Sequence, residues 1–126
     1  MIRRASLVAL VMFAISAPAS AAWLPNGIPA TTAAWNQIMP AAVTDGNGGV
    51  YIAWYDQPPG QFRLFFQHFD QFGHASGPTG GVLIGDTYVQ NNQVPQMVEG
   101  QGGTAYVVWS QTISGSVSYV RAQHLS

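Results

Sequence analysis

Cysteine and lysine are both absent from the 126 residues, and charged side chains of any kind are few, at 7%. Without cysteine the chain has no disulfide, no thiolate metal site, no thiol nucleophile and no cysteine-linked lipid anchor. Four arginines against five carboxylates form no basic patch, which argues against nucleic acid as a partner. Apolar residues reach 48%, so the composition is not that of a disordered chain.

The one long apolar run stands at the N-terminus. Arg3 and Arg4 precede apolar residues 7–15, Pro18 ends the run, and residues 19–21 read Ala-Ser-Ala, a small-x-small cleavage motif. This pattern is typical of a signal peptide, and the run is too short to span a bilayer as a helix. We therefore predict that residues 1–21 are removed. The mature protein is then secreted or periplasmic, with no membrane association after cleavage.

The mature chain is rich in turn formers and contains two similar units. All 14 glycines and all but one of the prolines follow the cleavage site. Residues 40–56 and 95–111 share a glycine cluster followed by an apolar run, and similar residues recur at a nearly constant spacing. We assign the units to residues 22–75 and 76–126. The clearest repeat pairs are Val43 and Val98, Tyr51 and Tyr106, Trp54 and Trp109, and His68 and His124.

Each unit is predicted to form four short antiparallel strands. The glycine cluster suits a tight hairpin because glycine accepts positive φ, and the run of residues 50–55 is apolar enough to be buried on both faces. Four-stranded units of this period favour propeller-like blades; a β-sandwich of two facing sheets is the alternative. The predicted strands are 27–30, 39–44, 49–56 and 62–70 in the first unit, and 81–84, 96–99, 104–111 and 116–125 in the second.

These residues resemble a class of bacterial secreted β-propeller-like repeats, which carry an Asp-Gly-x-Gly-Gly hairpin, a following Trp and an aromatic-x-Gln strand. The resemblance covers essentially the whole mature chain and implies an all-β fold of two four-stranded antiparallel blades. It indicates little about a ligand. The second unit departs from the pattern, because Gly100 stands where Asp45 stands in the first. The residues given a structural role in the repeat are Gly46, Gly48, Gly49, Trp54, Gly100, Gly102, Gly103 and Trp109.

Two blades alone would share one face and leave two apolar faces open, whereas stacked repeats usually need three or more units. Three explanations stay open at this point. Copies of the chain could close a ring, for example three chains of two blades. The chain could be part of a longer array. Or the two sheets could form a small self-sufficient fold.

The sequence offers few residues for catalysis, and we predict no catalytic residue, no metal and no cofactor. Asp45, in the glycine hairpin, reads as a turn former, since a calcium site would need more oxygen ligands nearby. His68 and His124 hold the same strand position in both units and are weighed as ligand contacts against a packing role. Trp35 lies in a polar connector, where an exposed indole could stack on a sugar ring or anchor the loop. The predicted ligand-binding residues are thus Trp35, His68 and His124.

The sequence favours an exported, non-catalytic binding or scaffold module of propeller-type blades. Its low charge makes a neutral carbohydrate or peptide a more fitting ligand than a polyanion. Its partners would be further copies in a homo-oligomer, such as a ring-closing trimer, or further blades of a longer chain. Two alternatives stay open: the N-terminal part of a larger secreted propeller enzyme of glycosidase or lyase type, and a cell-surface adhesion or structural array.

Overall fold

The computed structural model describes residues 23–59, 61–85, 93–114 and 117–126, and in these ranges every regular element is a β-strand. The strands are β1 (Asn36–Thr44), β2 (Val50–Gln57), β3 (Arg63–Phe69), β4 (Val82–Gly85), β5 (Gln96–Glu99), β6 (Ala105–Ser114) and β7 (Val117–Leu125). They form two antiparallel sheets, the first in the order β1-β2-β3-β4 and the second in the order β5-β6-β7. The predicted all-β class is confirmed. The predicted signal peptide lies outside the described residues.

β1 begins at Asn36 instead of residue 39 and β6 runs to Ser114 instead of residue 111, and the strands differ from the prediction more strongly in two further places. Residues 27–30 form no strand, because the Gly27 N–H donates to Leu24 O at 2.9 Å and Gly27 takes a φ of 80°, which closes a turn. The strand predicted at 81–84 exists as β4, but it pairs with β3, with Val82 opposite Phe66, and so completes the first sheet. The prediction of four strands in each unit is therefore corrected: the first sheet has four strands and, within the described residues, the second has three.

The two sheets share one register. In the first sheet Tyr51 lies opposite both Val43 and His68. In the second sheet Tyr106 lies opposite both Val98 and His124. The hairpins close in the same way, since Asp45 N–H donates to Gly49 O at 3.1 Å and Gly100 N–H to Thr104 O at 2.8 Å. Residues paired in the sequence repeat therefore occupy equivalent places, and each sheet has a front face, which carries the Tyr and His, and a back face, which carries the Trp.

The sheets stack front to back. The front face of the first sheet packs against the back face of the second, and together they form the main hydrophobic core. Because side chains alternate along a strand, every second residue of β2 and β6 enters this core. The apolar run of β2 is also buried on its other side, as predicted, since Trp54 is 3% exposed. The buried core residues are Tyr51, Ala53, Tyr55 and Leu64 from the first sheet and Ala105, Val107, Trp109 and Leu125 from the second.

The back face of the first sheet is partly covered by the chain itself. The Trp23 ring lies 6.1 Å from that of Phe69, and the Trp23 indole N–H donates to Gln71 O at 3.2 Å. Gly81 lies so close to the ring of Trp54 that a Cβ there would come within 2.6 Å of it, and its φ of 80° also favours glycine. The expectation of an open face is therefore corrected only in part here, because Trp54 and Phe69 are buried, whereas Ala42 and Thr44 of the same face are exposed.

Candidate functional site

The hairpin between β1 and β2 fixes the first polar group of the site. Asp45 Oδ1 accepts the backbone N–H groups of Asn47 and Gly49, both at 2.8 Å, which makes Asp45 the turn former that the sequence indicates. Gly46 and Gly48 have φ values of 75° and 91°, at which the backbone of a residue with a side chain would be strained. The turn leaves the second carboxylate oxygen, Oδ2, aimed at the neighbouring strand.

That oxygen begins a line of three side chains, which we term the Asp45 relay: Asp45, His68 and Ser76. His68 Nε2 lies 2.9 Å from Asp45 Oδ2, and His68 Nδ1 lies 3.0 Å from Ser76 Oγ. Because an ionised carboxylate only accepts hydrogen bonds, Nε2 carries the hydrogen and donates to Asp45. With a neutral ring, Nδ1 then accepts the hydroxyl hydrogen of Ser76.

Burial and hydrogen bonding act in opposite directions on Asp45. Burial alone would raise the pKa of its carboxyl group. The hydrogen bonds from His68, Asn47 and Gly49 outweigh that effect and hold the pKa below its ordinary value. Asp45 is therefore ionised at neutral pH and orients the imidazole ring of His68.

Tyr51 joins the relay to the second sheet. Its ring stacks on His68 at 4.2 Å between centroids, with 19° between the planes. Its hydroxyl donates to Gly103 O, in the hairpin of the second unit, at 3.0 Å. Burial, followed by the nearby charge of Asp45, raises the pKa of Tyr51, so the hydroxyl stays a donor at neutral pH. The relay is thus tied to the stacking of the two sheets.

A cavity of about 280 Å³ lies beside the relay. Tyr51, Phe66 and Val82 give it an apolar wall, and His68 and Ser76 stand at its edge. Gln67 and Ser126 also line it, so the cavity is small and mixed in character.

Ser, His and Asp hydrogen-bonded in this order also make up the catalytic triad that activates a serine nucleophile. Acyl transfer needs amide donors that are free to bind the developing oxyanion. The two amides nearest the Ser76 hydroxyl along the chain are already engaged: Ser76 N–H donates to His68 O and Gly77 N–H to Gln67 Oε1, each at 2.9 Å. The relay is therefore better suited to holding the segment 70–81 against the first sheet than to acyl transfer.

The second unit lacks the counterpart of the relay. His124 lies near Tyr106, 4.7 Å between ring centroids, but Gly100 provides no carboxylate. The two units differ at both ends of this hairpin, since Asp45 and Gly49 of the first correspond to Gly100 and Thr104 of the second. A Cβ on Gly49 would lie 2.4 Å from Asp45 Oδ2, whereas a Cβ on Gly100 would lie 2.3 Å from Thr104 Oγ1. Asp45 thus occupies space that a Cβ on Gly49 would need, although such a Cβ would also lie 2.4 Å from the backbone oxygen of Phe69.

The structure does not bring the three predicted ligand-binding residues together. His68 and His124 lie on the front faces of different sheets. Trp35 precedes β1, whereas His68 lies across from the far end of that strand, and eight residues of strand span roughly 25 Å. The Trp35 indole is 58% exposed on a backbone with a φ of 81°, and the Gln37 side chain donates to its carbonyl at 2.8 Å. Their ligand roles stay predictions.

Sequence reasoning did not find Ser76 or the contact between Asp45 and His68. The available signal was the exchange of side chain and glycine at the two ends of the hairpin, Asp45 with Gly49 against Gly100 with Thr104. The exchange indicates that the Asp45 side chain occupies the space that the Thr104 side chain occupies in the second unit. Within the described ranges, no three His, Asp or Glu side chains gather as metal ligands would.

Comparison with family models, curated proteins and solved structures finds no match to this chain. A search of the described part of the chain for a helix long and apolar enough to cross a membrane found none.

Proposed function

We propose that the protein is an exported, non-catalytic binding or scaffold module of two propeller-type blades, which further blades complete. The observation that carries the proposal is the front-to-back stacking of two sheets that share one register. A front-to-front sandwich would pack like faces together, whereas blades of a propeller stack unlike faces repeatedly. The predicted signal peptide, residues 1–21, supports the proposed export.

The second sheet supports this proposal because it presents the same front face and no other described part of the chain packs on it. Val108 is 37% exposed and Val120 is 79% exposed, whereas Ala53 and Leu64, their equivalents in the first sheet, are fully buried. No residue of this face in the described chain carries a formal charge. Its exposed apolar side chains, Val98, Tyr106, Val108 and Val120, lie among uncharged polar ones, a surface that suits an uncharged partner. Its residues are Gln96, Val98, Tyr106, Val108, Ser110, Thr112, Ser118, Val120, Ala122 and His124.

The solution mass of the mature chain, residues 22–126, tests the proposal by light scattering after size exclusion over a range of concentrations. We expect association that rises with concentration, because the front face of the second sheet exposes apolar side chains such as Val108 and Val120. The matched variant Val108→Lys places a charge on that face and should reduce association without unfolding the protein. A chain that stays monomeric at every concentration contradicts the proposal.

A second candidate, a hydrolase with Ser76 as nucleophile, rests on the hydrogen-bonded order of Ser76, His68 and Asp45 alone, since the amides of Ser76 and Gly77 are engaged. In that reaction Ser76 Oγ attacks an ester carbonyl, His68 Nδ1 takes the hydroxyl proton and the alcohol leaves with it; water then releases the acid. Covalent labelling by a fluorophosphonate tests it, with Ser76→Ala and Asp45→Asn as the variants and Ser126→Ala as control. Labelling that depends on Ser76 would support the hydrolase, and equal labelling of all variants would reject it.

A further inference from the structure

In the described residues the second sheet also has an unpaired edge. In the first sheet the outer edge of β3 is paired with β4. The equivalent strand, β7, ends its sheet, and within the described residues no strand pairs with its outer side. An unpaired edge offers N–H and C=O groups to another strand, so the edge of β7 and the front face beside it form one unfilled surface.

Within this chain one continuous segment fills both of the corresponding places on the first sheet. Residues 82–125 supply β4, which pairs with the edge of β3, and then β5, β6 and β7, which stack on the front face. We propose that one further repeat unit of this sequence type occupies the second sheet in the same way. Its first strand pairs with β7, and its Trp-bearing back face covers Tyr106, Val108 and Ala122. This inference rests on the proposed function and names the partner.

The existing interface defines the chemistry that the partner must present. Small and branched apolar side chains, like Ala105 and Val107, face the front of the first sheet, with Trp109 beside them. A hairpin carbonyl receives the tyrosine hydroxyl, as Gly103 O receives that of Tyr51 at 3.0 Å. Tyr106 is equivalent to Tyr51 and would donate to the corresponding carbonyl of the partner.

A second copy of this chain fits this surface poorly. Its own β4 is already paired with its own β3, and Trp23 and Gly81 already contact Phe69 and Trp54 on the back face of its first sheet. Both would have to be uncovered before that copy could dock. The occupant is therefore a repeat unit whose strand and back face are free.

A three-unit chain tests the inference. Ser126 is in phase with Asp70, so a second copy of residues 71–126 is appended after Ser126 and continues the register. Because the chain has no cysteine, Val108→Cys gives a single thiol on the front face. Its labelling by a maleimide is expected to be slower by about tenfold or more in the three-unit chain than in the natural one, since it then requires local opening. Leu24→Cys, on the exposed N-terminal segment, should label equally fast in both chains.

The matched control carries Trp109→Asp in the appended copy only, and it should restore fast labelling of Val108→Cys. The inference is overturned if Val108→Cys is labelled equally fast in the two-unit and three-unit chains. It is also overturned if the Trp109→Asp control protects that thiol as well as the unaltered appended unit does, or if circular dichroism shows that the appended unit stays unfolded. A discrete trimer of the natural chain overturns it too, because second copies would then fill the surface. If the natural chain never associates, the proposed function fails. If it associates while the appended unit gives no protection, only this inference fails.

Discussion

The front faces of the two sheets carry equivalent residues in one register and yet differ almost completely in exposure. Tyr51 and Tyr106 both lie beside a histidine and opposite a valine, but Tyr51 is 2% exposed and Tyr106 is 45% exposed. The difference comes from what lies on top, since the second sheet covers one face and, in the described chain, nothing covers the other. In stacked repeats, whether the face of a strand is buried depends on whether a neighbouring unit packs on it, and not on the residues of the strand itself.

The largest expected effect separates these two tyrosines. Tyr51→Ala should lower the free energy of unfolding by about 3–5 kcal/mol, because it empties a packed site and removes the bond to Gly103 O. Tyr106→Ala should change it by less than about 1 kcal/mol, as at an exposed site. Chemical unfolding of both variants measures the contrast, and equal losses would mean that the second front face is covered.

A smaller effect concerns the carboxylate found only in the first unit. Asp45→Asn should cost about 1–3 kcal/mol of unfolding free energy, since it weakens the bonds to His68 and the hairpin amides. The folded-state pKa of Asp45 lies below its unfolded value, so its contribution is fully present above the unfolded pKa and is lost as pH falls through the folded pKa. Asp45→Asn should flatten that acid-side loss of stability.

Asp70→Asn is the matched control for this pH dependence. Hydrogen bonds, first of all from the His74 backbone, lower the pKa of Asp70 too, but its side chain is exposed. An acid profile in which the Asp70 variant is as flat as the Asp45 variant would show that burial of the relay is not what matters.

Exchanging the hairpins sharpens the comparison further. Gly100→Asp with Thr104→Gly should place a carboxylate beside His124 and gain about 0.5–1.5 kcal/mol, the usual worth of one hydrogen bond. Gly100→Asp alone should destabilise, because the new side chain would meet Thr104 Oγ1. Unfolding of the single and double variants gives the coupling between the two positions, and additive effects would contradict the packing argument.

The smallest effect is expected at the most exposed residue of the open face. Val120→Ala should alter the free energy of unfolding by less than about 0.5 kcal/mol, because Val120 is 79% exposed. The same replacement at its equivalent, Leu64→Ala, should cost about 2–5 kcal/mol. Thermal unfolding of the two variants provides the check.

Much of the fold follows from local patterns in the sequence. The glycine clusters locate the two hairpins, and the spacing of Tyr51 and Tyr106 locates equivalent strands. The partner of β4 could not be read from the sequence, because an apolar strand of four residues fits either sheet. The folding of residues 23–30 over the first sheet was equally hidden, since it depends on long-range contacts such as the one between Trp23 and Phe69.

The candidate site was predictable only in part. Asp45 and His68 stand out as repeat positions, but their contact depends on the register between β2 and β3 and on the rotamer of each side chain. Ser76 lies in a polar loop with no pattern of its own, so its place beside His68 emerges only from the folded segment 70–81.

Front-to-back stacking gives the molecule a direction. One end is partly covered, because Trp23 packs on Phe69 and Gly81 lies against Trp54 at the back of the first sheet, whereas in the described chain the front of the second sheet is exposed. If further units add as proposed, this asymmetry directs them to the second sheet, as in a polymer with a terminated end. The covering residues then oppose addition at the first sheet, and their removal would favour addition at both ends.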